Sequence, residues 1–343
     1  MPVQWNERPI GSVPYITNTT QVLVVPRDKP IRRITMRVVL SLTTTATAPT
    51  YTEDDMLNVI KKIRLVMNGN DNKFNVNARL WFYVEQYEKG TQVQRIAPTT
   101  TISTTADAVV TLIADFAQDR KNEDDFTALL PARRLSSLNL EIDWGGTTDI
   151  ATANAPTINV ASKIIVEIRE AFGTVEEYNE KGEVVKSTDV NDLDYLDIRE
   201  GMDTLLIDAN YSSYDNSSLK KNVIPAPSTI LTNAFLVRDA TAPAGNKSNA
   251  LVTDLKIQRE SPFVLNILQR TWLSIWGEIK AEYSIEATQP VGFLYIDYVD
   301  KFSGGLVNNG NEGDIKYRFL NTGFVSGQAI DIFTRSVSTA FKR

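Results

Sequence analysis

Two residue types that carry much of the catalysis known at neutral pH are missing from this chain, which contains no histidine and no cysteine. Their absence removes Ser–His triads, histidine and thiolate metal sites, thiol nucleophiles and disulfides. Any chemistry must then rest on carboxylates, lysine or tyrosine. The densest acidic clusters are Glu53-Asp54-Asp55 and Glu123-Asp124-Asp125. Such clusters can hold a metal or cleave a glycosidic bond between two carboxyls. The competing reading, which the sequence context favours, is charge at a helix start and in a solvated loop. Asp71, in Asn68-Gly69-Asn70-Asp71-Asn72, lacks the spaced acids and terminal glutamate of a calcium loop and reads as a turn. Asp192 and Asp194 form another acidic pair, with Tyr195 and Trp272 as an aromatic platform for a sugar. Trp272 and Trp276 are four apart, on one face of a helix, where core or inter-subunit packing competes with sugar stacking.

The chain ends carry the remaining candidates. Trp5 and Arg8 near the start, and Lys342 and Arg343 at the finish, are the candidate contacts to a membrane or to neighbouring chains. Arg335 and Phe341 belong to the same C-terminal group. Each positive charge contributes only ~1 kcal/mol near an anionic surface. Glycan acceptor patterns occur at Asn18, Asn210, Asn216 and Asn246, and Asn246 is the strongest because its loop reads as exposed. No cofactor is called for.

The elements that must position these residues are mostly strands. The chain has 343 residues, 42% of them hydrophobic and 23% charged, which suits two domains with packed cores. A net charge of −6 gives no basic excess for phosphate backbones, so no specific nucleic-acid binding is expected. The opening residues lack the apolar core of a signal peptide, and no run reaches the ~20 apolar residues of a spanning helix. Residues 1–20, with Pro2, Pro9 and Pro14, read as an extended arm. Residues 21–172 read as one strand-rich unit, 173–200 as a charged connector with a small hairpin, and 201–343 as a second strand-rich unit.

Within these units the patterning is specific. Ile34, Met36, Val38, Leu40 and Leu42 alternate along a strand from 31 to 44, and Leu138, Leu140, Ile142 and Trp144 along another. Val160, Ile164, Val166 and Ile168 are the inward positions of a strand over 158–170. Thr52 is the expected cap of a short helix at 52–60, and 78–88 reads as a helix. In the second unit strands are expected at 229–237, 251–258, 279–286, 291–299, 314–321 and 328–337, with a helix at 262–276. The strand at 291–299 is expected to be buried on both faces.

A faint repeat links the halves. Ile63-Arg64-Leu65, a polar turn, Phe74-Asn75-Val76-Asn77 and Leu80-Trp81-Phe82-Tyr83 are echoed by Leu255-Lys256-Ile257, a turn, Phe263-Val264-Leu265-Asn266 and Trp272-Leu273-Ser274-Ile275-Trp276. Together these patterns define an all-β chain with a few short helices, built as two tandem jelly-roll sandwiches with an interior each.

This layout, with Asn58-Val59-Ile60-Lys61-Lys62-Ile63-Arg64-Leu65-Val66-Met67-Asn68-Gly69 and the run from Leu130-Pro131-Ala132-Arg133-Arg134-Leu135 to Asp143-Trp144-Gly145, resembles a known family. It is similar to the double jelly-roll major capsid proteins of tailless, membrane-containing icosahedral viruses: tectiviruses, corticoviruses, archaeal turreted viruses and, distantly, adenovirus. The archaeal turreted group matches best in length. The resemblance implies homotrimers of pseudo-hexagonal outline that tile a virion shell around an internal lipid membrane. It also implies contacts with neighbouring capsomers and with penton and minor capsid proteins, and assembly in the host cytoplasm. The implied role is structural, and no catalytic residue carries over. Two alternatives stay open at this level: a carbohydrate-binding or carboxylate-based carbohydrate-active sandwich, and a trimeric host-binding spike.

Overall fold

The computed structural model describes residues 3–47, 54–89, 102–118, 120, 122, 125–151, 153–206, 228–239, 247–259, 265–283, 290–299, 305–308, 315–321 and 328–338. In the first half the strands are β1 (Gln4–Pro14), β2 (Thr20–Val24), β3 (Ile31–Thr43), β4 (Ile60–Met67), β5 (Asp71–Val76), β6 (Thr105–Asp115), β7 (Leu138–Trp144), β8 (Thr157–Ile158) and β9 (Lys163–Phe172). A hairpin of β10 (Thr174–Tyr178) and β11 (Val184–Asp189) follows. The second half holds β12 (Asp197–Leu206), β13 (Ser228–Arg238), β14 (Val252–Arg259), β15 (Leu265–Thr271), β16 (Phe293–Asp297), β17 (Leu306–Asn308), β18 (Ile315–Asn321) and β19 (Ala329–Ser338). Two 12-residue helices, α1 (Ala78–Lys89) and α2 (Trp272–Tyr283), fall one in each half.

The halves repeat one strand plan. In the first, one sheet runs β1-β9-β3-β6 and faces a second that runs β2-β7-β4-β5. In the other half, β12-β19-β13-β16 faces β18-β14-β15. From β1 to β7 the chain crosses between the two sheets at every step except the β4–β5 hairpin, as in a jelly roll, and the second half shows the same sheet order among the described residues, so the fold is a double jelly roll. In both halves a hairpin leads straight into a helix: β4–β5–α1 and β14–β15–α2. This is the repeat legible in the sequence.

The strand alternation has its expected effect along β3, where Ile34, Met36, Val38, Leu40 and Leu42 are all buried. The same holds for Leu138, Leu140, Ile142 and Trp144 of β7. In β9, Ile164, Val166 and Ile168 point inward. Val160 does not: it is 95% exposed in the turn before the strand, where the Ser162 N–H donates to the Asn159 carbonyl. The hairpin turn at Asn68-Gly69 places both residues at positive φ, 50° and 88°, the region glycine and asparagine tolerate best.

Both helices are capped by the residue that ends the preceding segment. The Asn77 Oδ1 accepts from the N–H groups of Arg79 and Leu80 at 2.9 and 3.2 Å, and the Thr271 Oγ1 accepts from the Ser274 N–H at 3.3 Å. This corrects two expectations. The helix expected over 262–276 begins only at Trp272, because Leu265–Thr271 pairs with β14 as a strand. The strand expected over 279–286 is the helix's continuation through Tyr283. Trp272, Ile275, Trp276 and Ile279 follow the i, i+3, i+4, i+7 spacing that identifies it. The expected strand at 291–299 shortens to β16; Phe293 to Ile296 are buried on both faces, but Val291 is half exposed.

Residues 4–14 are extended, as expected of an arm, and are hydrogen-bonded along β9 as the edge of the first sheet. Within the charged 173–200 stretch lie the β10–β11 hairpin and the start of β12, so the second half's first strand begins at Asp197.

The halves meet along a seam. β12 runs parallel to β5, with Glu200 opposite Phe74 and Gly201 opposite Asn75, and this joins sheets of the two halves into one nine-stranded sheet. Because the seam is parallel, corresponding ends of the two sandwiches lie at the same end of the molecule. The two interiors are not sealed from each other: apolar contact is continuous between them through α1, whose Tyr83 and Tyr87 both reach Phe293 of β16 at 5.2 Å between ring centroids.

Tight backbone approach fixes Gly292 just before β16. Its φ is +71°, and a Cβ there would lie 2.9 Å from the Ser248 nitrogen and from the Val237 oxygen. Gly292→Ala is expected to destabilise the fold by about 1–3 kcal/mol. A lower urea midpoint with an unchanged slope checks this.

Candidate functional site

Charged side chains that are buried concentrate where the halves meet, and they come from elements far apart in sequence. Three clusters stand along this boundary.

The first forms around Asp54. Its carboxylate accepts from Arg79 of α1 at 2.7 Å and from Lys247 at 2.6 Å, and from the Tyr83 hydroxyl. Asp55 adds a 3.2 Å contact to Arg79, and the Lys247 ammonium lies 5.0 Å from the Tyr83 ring centroid. Lys247 belongs to the second half and the rest to the first. Burial alone would raise the Asp54 pKa, but the charges of Arg79 and Lys247 and the hydrogen bonds from Lys247 and Tyr83 outweigh it and hold the carboxyl well below its ordinary range. Burial pulls Lys247 down and pushes the Tyr83 phenol up. The expectation of solvated helix-start charge at Asp54 and Asp55 is therefore corrected: both are buried, and the turn over Asp55–Val59 has no side-chain cap. Thr52 and Glu53 lie outside the described residues.

The second cluster crosses the seam. Lys73 of β5, wholly buried, donates to Asp197 of β12 at 2.6 Å. Arg199 donates to the other Asp197 oxygen at 2.8 Å and reaches back to Asp71 with both terminal nitrogens. Burial lowers the Lys73 pKa against the opposing pull of Asp197. Asp71 is thus an ion-pair partner beside a turn.

The third grips Arg120 between Glu88 of α1 and Glu200 of β12. Arg335 of β19 lies 3.8 Å from Glu88 and 3.7 Å from Glu200. Burial and the neighbouring Arg335 push Arg120 down to about 10, so it stays cationic at neutral pH. Beside this group opens a cleft of about 540 Å³ lined by Tyr87, Glu88, Arg120, Tyr295, Asp297 and Arg335. Among the described residues no cluster has the make-up of a metal site.

Of the residues singled out by sequence, Trp5 stacks on Phe126 at 5.2 Å and carries the Arg169 guanidinium 4.8 Å from its ring centroid. Arg8 donates twice to buried Glu170, both bonds at 2.9 Å. Both residues anchor β1 within its own half. Arg8→Met is expected to cost about 1–3 kcal/mol by leaving the Glu170 carboxylate short of its partner. Earlier proteolytic cleavage within residues 4–14 is the readout. Asn246, Lys342 and Arg343 lie outside the described residues, as do Phe341, Asn210, Asn216, Glu123 and Asp124. Asn18 is exposed at a positive φ of 54°.

The sugar platform does not form. Trp272 is wholly buried, with its indole N–H donating to Asn249 at 3.0 Å. Tyr195 is buried and donates to the Val190 carbonyl, while Asp192 and Asp194 are exposed. Sequence reading passed over Lys73, Arg79, Arg120, Glu200 and Lys247. One signal was present: Arg79, Glu85 and Glu88 share a short helix with Leu80, Trp81, Phe82, Tyr83, Val84 and Tyr87, and charges buried among such residues need partners.

No family model and no curated protein matches this sequence. Solved structures do match, and they share the double jelly roll. The structure of Sulfolobus Turreted Icosahedral Virus contains a chain with a TM-score of 0.72 at 14% identity, over 99% of this chain and 91% of that one. A crystal structure of the STIV major capsid protein gives 0.71 at 15% identity over 98% and 97%. PBCV-1 VP54 gives 0.61 at 11% identity over 100% and 98%.

Proposed function

We propose that this chain is the major capsid protein of an icosahedral virion, assembling as a homotrimer of pseudo-hexagonal outline. The observation that carries the reading is the fusion of two sandwiches of one strand plan, side by side and with the same ends together, into a single block. Three such blocks present six similar sandwiches, so a threefold ring can fill a hexagonal site. The buried ion pairs along the seam suit a rigid tile better than a hinged enzyme. The whole-chain likeness to capsid proteins of several viruses supports the same reading.

The role is structural rather than enzymatic. In the virion the chain contacts neighbouring capsomers, penton and minor capsid proteins, and an internal lipid membrane. Among the described residues no helix is long and apolar enough to cross a membrane. Contact with lipid or with neighbouring chains falls to the terminal residues Lys342 and Arg343, and to what Trp5 and Arg8 leave exposed beyond their contacts within the first half. Light scattering on the purified chain tests the assembly: a trimer, seen as a six-sided particle by electron microscopy, is expected. A clean monomer at the highest soluble concentration overturns it.

A further inference from the structure

Among the described residues Lys73 is the only buried lysine, and its ammonium sits 2.6 Å from Oδ1 of Asp197, which is itself buried. The two side chains come from β5 and β12, neighbouring parallel strands that belong to different halves. Adjacent strands lie about 4.8 Å apart, so a lysine reaches an aspartate one strand over. The other Asp197 oxygen, Oδ2, accepts from the Arg199 Nε at 2.8 Å, and Arg199 is held in turn by Asp71. The Phe116 ring centroid lies 5.7 Å from the Lys73 nitrogen. An amine and a carboxyl thus face each other away from bulk water, with each carboxylate oxygen against a different cation.

Lys247 and Asp54 meet at the same distance, but their arrangement differs. There Arg79, Lys247 and Tyr83 all crowd on one oxygen, Oδ2, and Lys247 is less deeply buried. At Asp197 the two oxygens are separated by role: Oδ1 faces the amine and Oδ2 faces the guanidinium.

We propose that Lys73 and Asp197 condense into an isopeptide bond, a side-chain amide that ties β5 to β12 and so one half to the other. The Lys73 ammonium first passes a proton along the 2.6 Å contact to Oδ1, leaving a neutral amine beside a carboxylic acid. This exchange removes two charges from surroundings that solvate them poorly. Burial is also the largest influence lowering the Lys73 pKa. The Nζ lone pair then attacks Cγ. Negative charge gathers on Oδ2, to which the Arg199 Nε–H already donates. As the intermediate collapses, Nζ gives a second proton to Oδ1, the Cγ–Oδ1 bond breaks and water leaves. Oδ2 is again a carbonyl oxygen, now of the amide, and Nζ keeps one hydrogen. Nothing is oxidised or reduced, and no co-reactant is needed. Holding the two groups in contact drives a condensation that dilute solution opposes, and burial keeps water from reversing it. The β5–β12 ladder is registered at only two residue pairs, Glu200 with Phe74 and Gly201 with Asn75, so a covalent tie beside it secures a short joint. The bond forms within one chain and does not depend on the capsid reading.

The test uses the full chain, folded, purified and aged at raised temperature. Its intact mass is expected to fall one water molecule short of the sequence mass, and digestion is expected to yield a branched peptide joining Lys73 to Asp197. A second readout follows from the hairpin between them. Cutting at a protease site inserted in its exposed turn, between Lys181 and Gly182, leaves one fragment with Lys73 and another with Asp197. The chain has no cysteine, so no disulfide can hold these fragments together in denaturant. They are expected to migrate as one species. Lys73→Arg keeps the positive charge but lacks the amine, and is expected to restore the full mass and free the fragments. Should that variant fail to fold, the unaltered chain decides alone. A folded, aged chain of full mass whose cut fragments separate overturns the proposal, as does a water loss that maps to any other pair of residues.

Discussion

Asp54→Ala is expected to destabilise the fold by about 3–5 kcal/mol, because it leaves the buried Arg79 and the part-buried Lys247 without their shared carboxylate. Both cations converge on the same oxygen of Asp54, at 2.7 and 2.6 Å. Lys247→Ala removes a partner contributed by the other half, and the Arg79 pair stays intact. Its cost is therefore expected to be smaller. A double-mutant cycle between Asp54 and Lys247, read by denaturant unfolding, measures the coupling across the boundary. Acid sensitivity follows from the same geometry. The folded-state pKa of Asp54 is depressed, so its contribution is fully present above the ordinary carboxylate value of 3.8 and is lost as pH falls from there through the folded value. Stability from this residue should be flat between pH 5 and 7, on the order of the full ion-pair contribution, and decline below about 4. The Asp54→Ala protein should show a weaker decline in that acid window.

Trp81→Ala is the second large effect, about 3–5 kcal/mol, from the cavity left by a wholly buried indole. Trp81 packs 5.2 Å from Phe74 on the face of α1 that looks into the first sandwich. The other faces of the helix carry Tyr83 and Tyr87 into the second. Loosening α1 should thus loosen both halves, and tryptophan fluorescence and circular dichroism are expected to report one shared transition at a lower midpoint. Two separated transitions would show that the halves unfold independently and that α1 does not couple them.

The sequence carried much of this architecture because its pattern is local. β3 and β7 alternate without interruption, and a strand period reads directly as a buried face. The hairpin-helix repeat was legible from Ile63, Leu65, Trp81 and their echoes Leu255, Ile257 and Trp272. The boundary between β15 and α2 was misjudged because Leu265, Ile267 and Leu268 suit either a helix or a strand, and the pairing with β14 decides. The Thr271 cap was the overlooked start signal of α2. The ionic clusters were hidden for a different reason. Lys247 lies 193 residues from Asp54, and Asp197 lies 124 from Lys73. No periodicity links such pairs; only the packing of one half on the other brings them together.

The parallel join of β5 and β12 has one more consequence. Main-chain bonds run from one sandwich into the other, and a buried lysine–aspartate pair flanks them. The two sandwiches are therefore tied edge to edge, with no hinge between them among the described residues. A closed surface tiled with this unit must take up all of its curvature at the joints between separate polypeptides, never by flexing inside one.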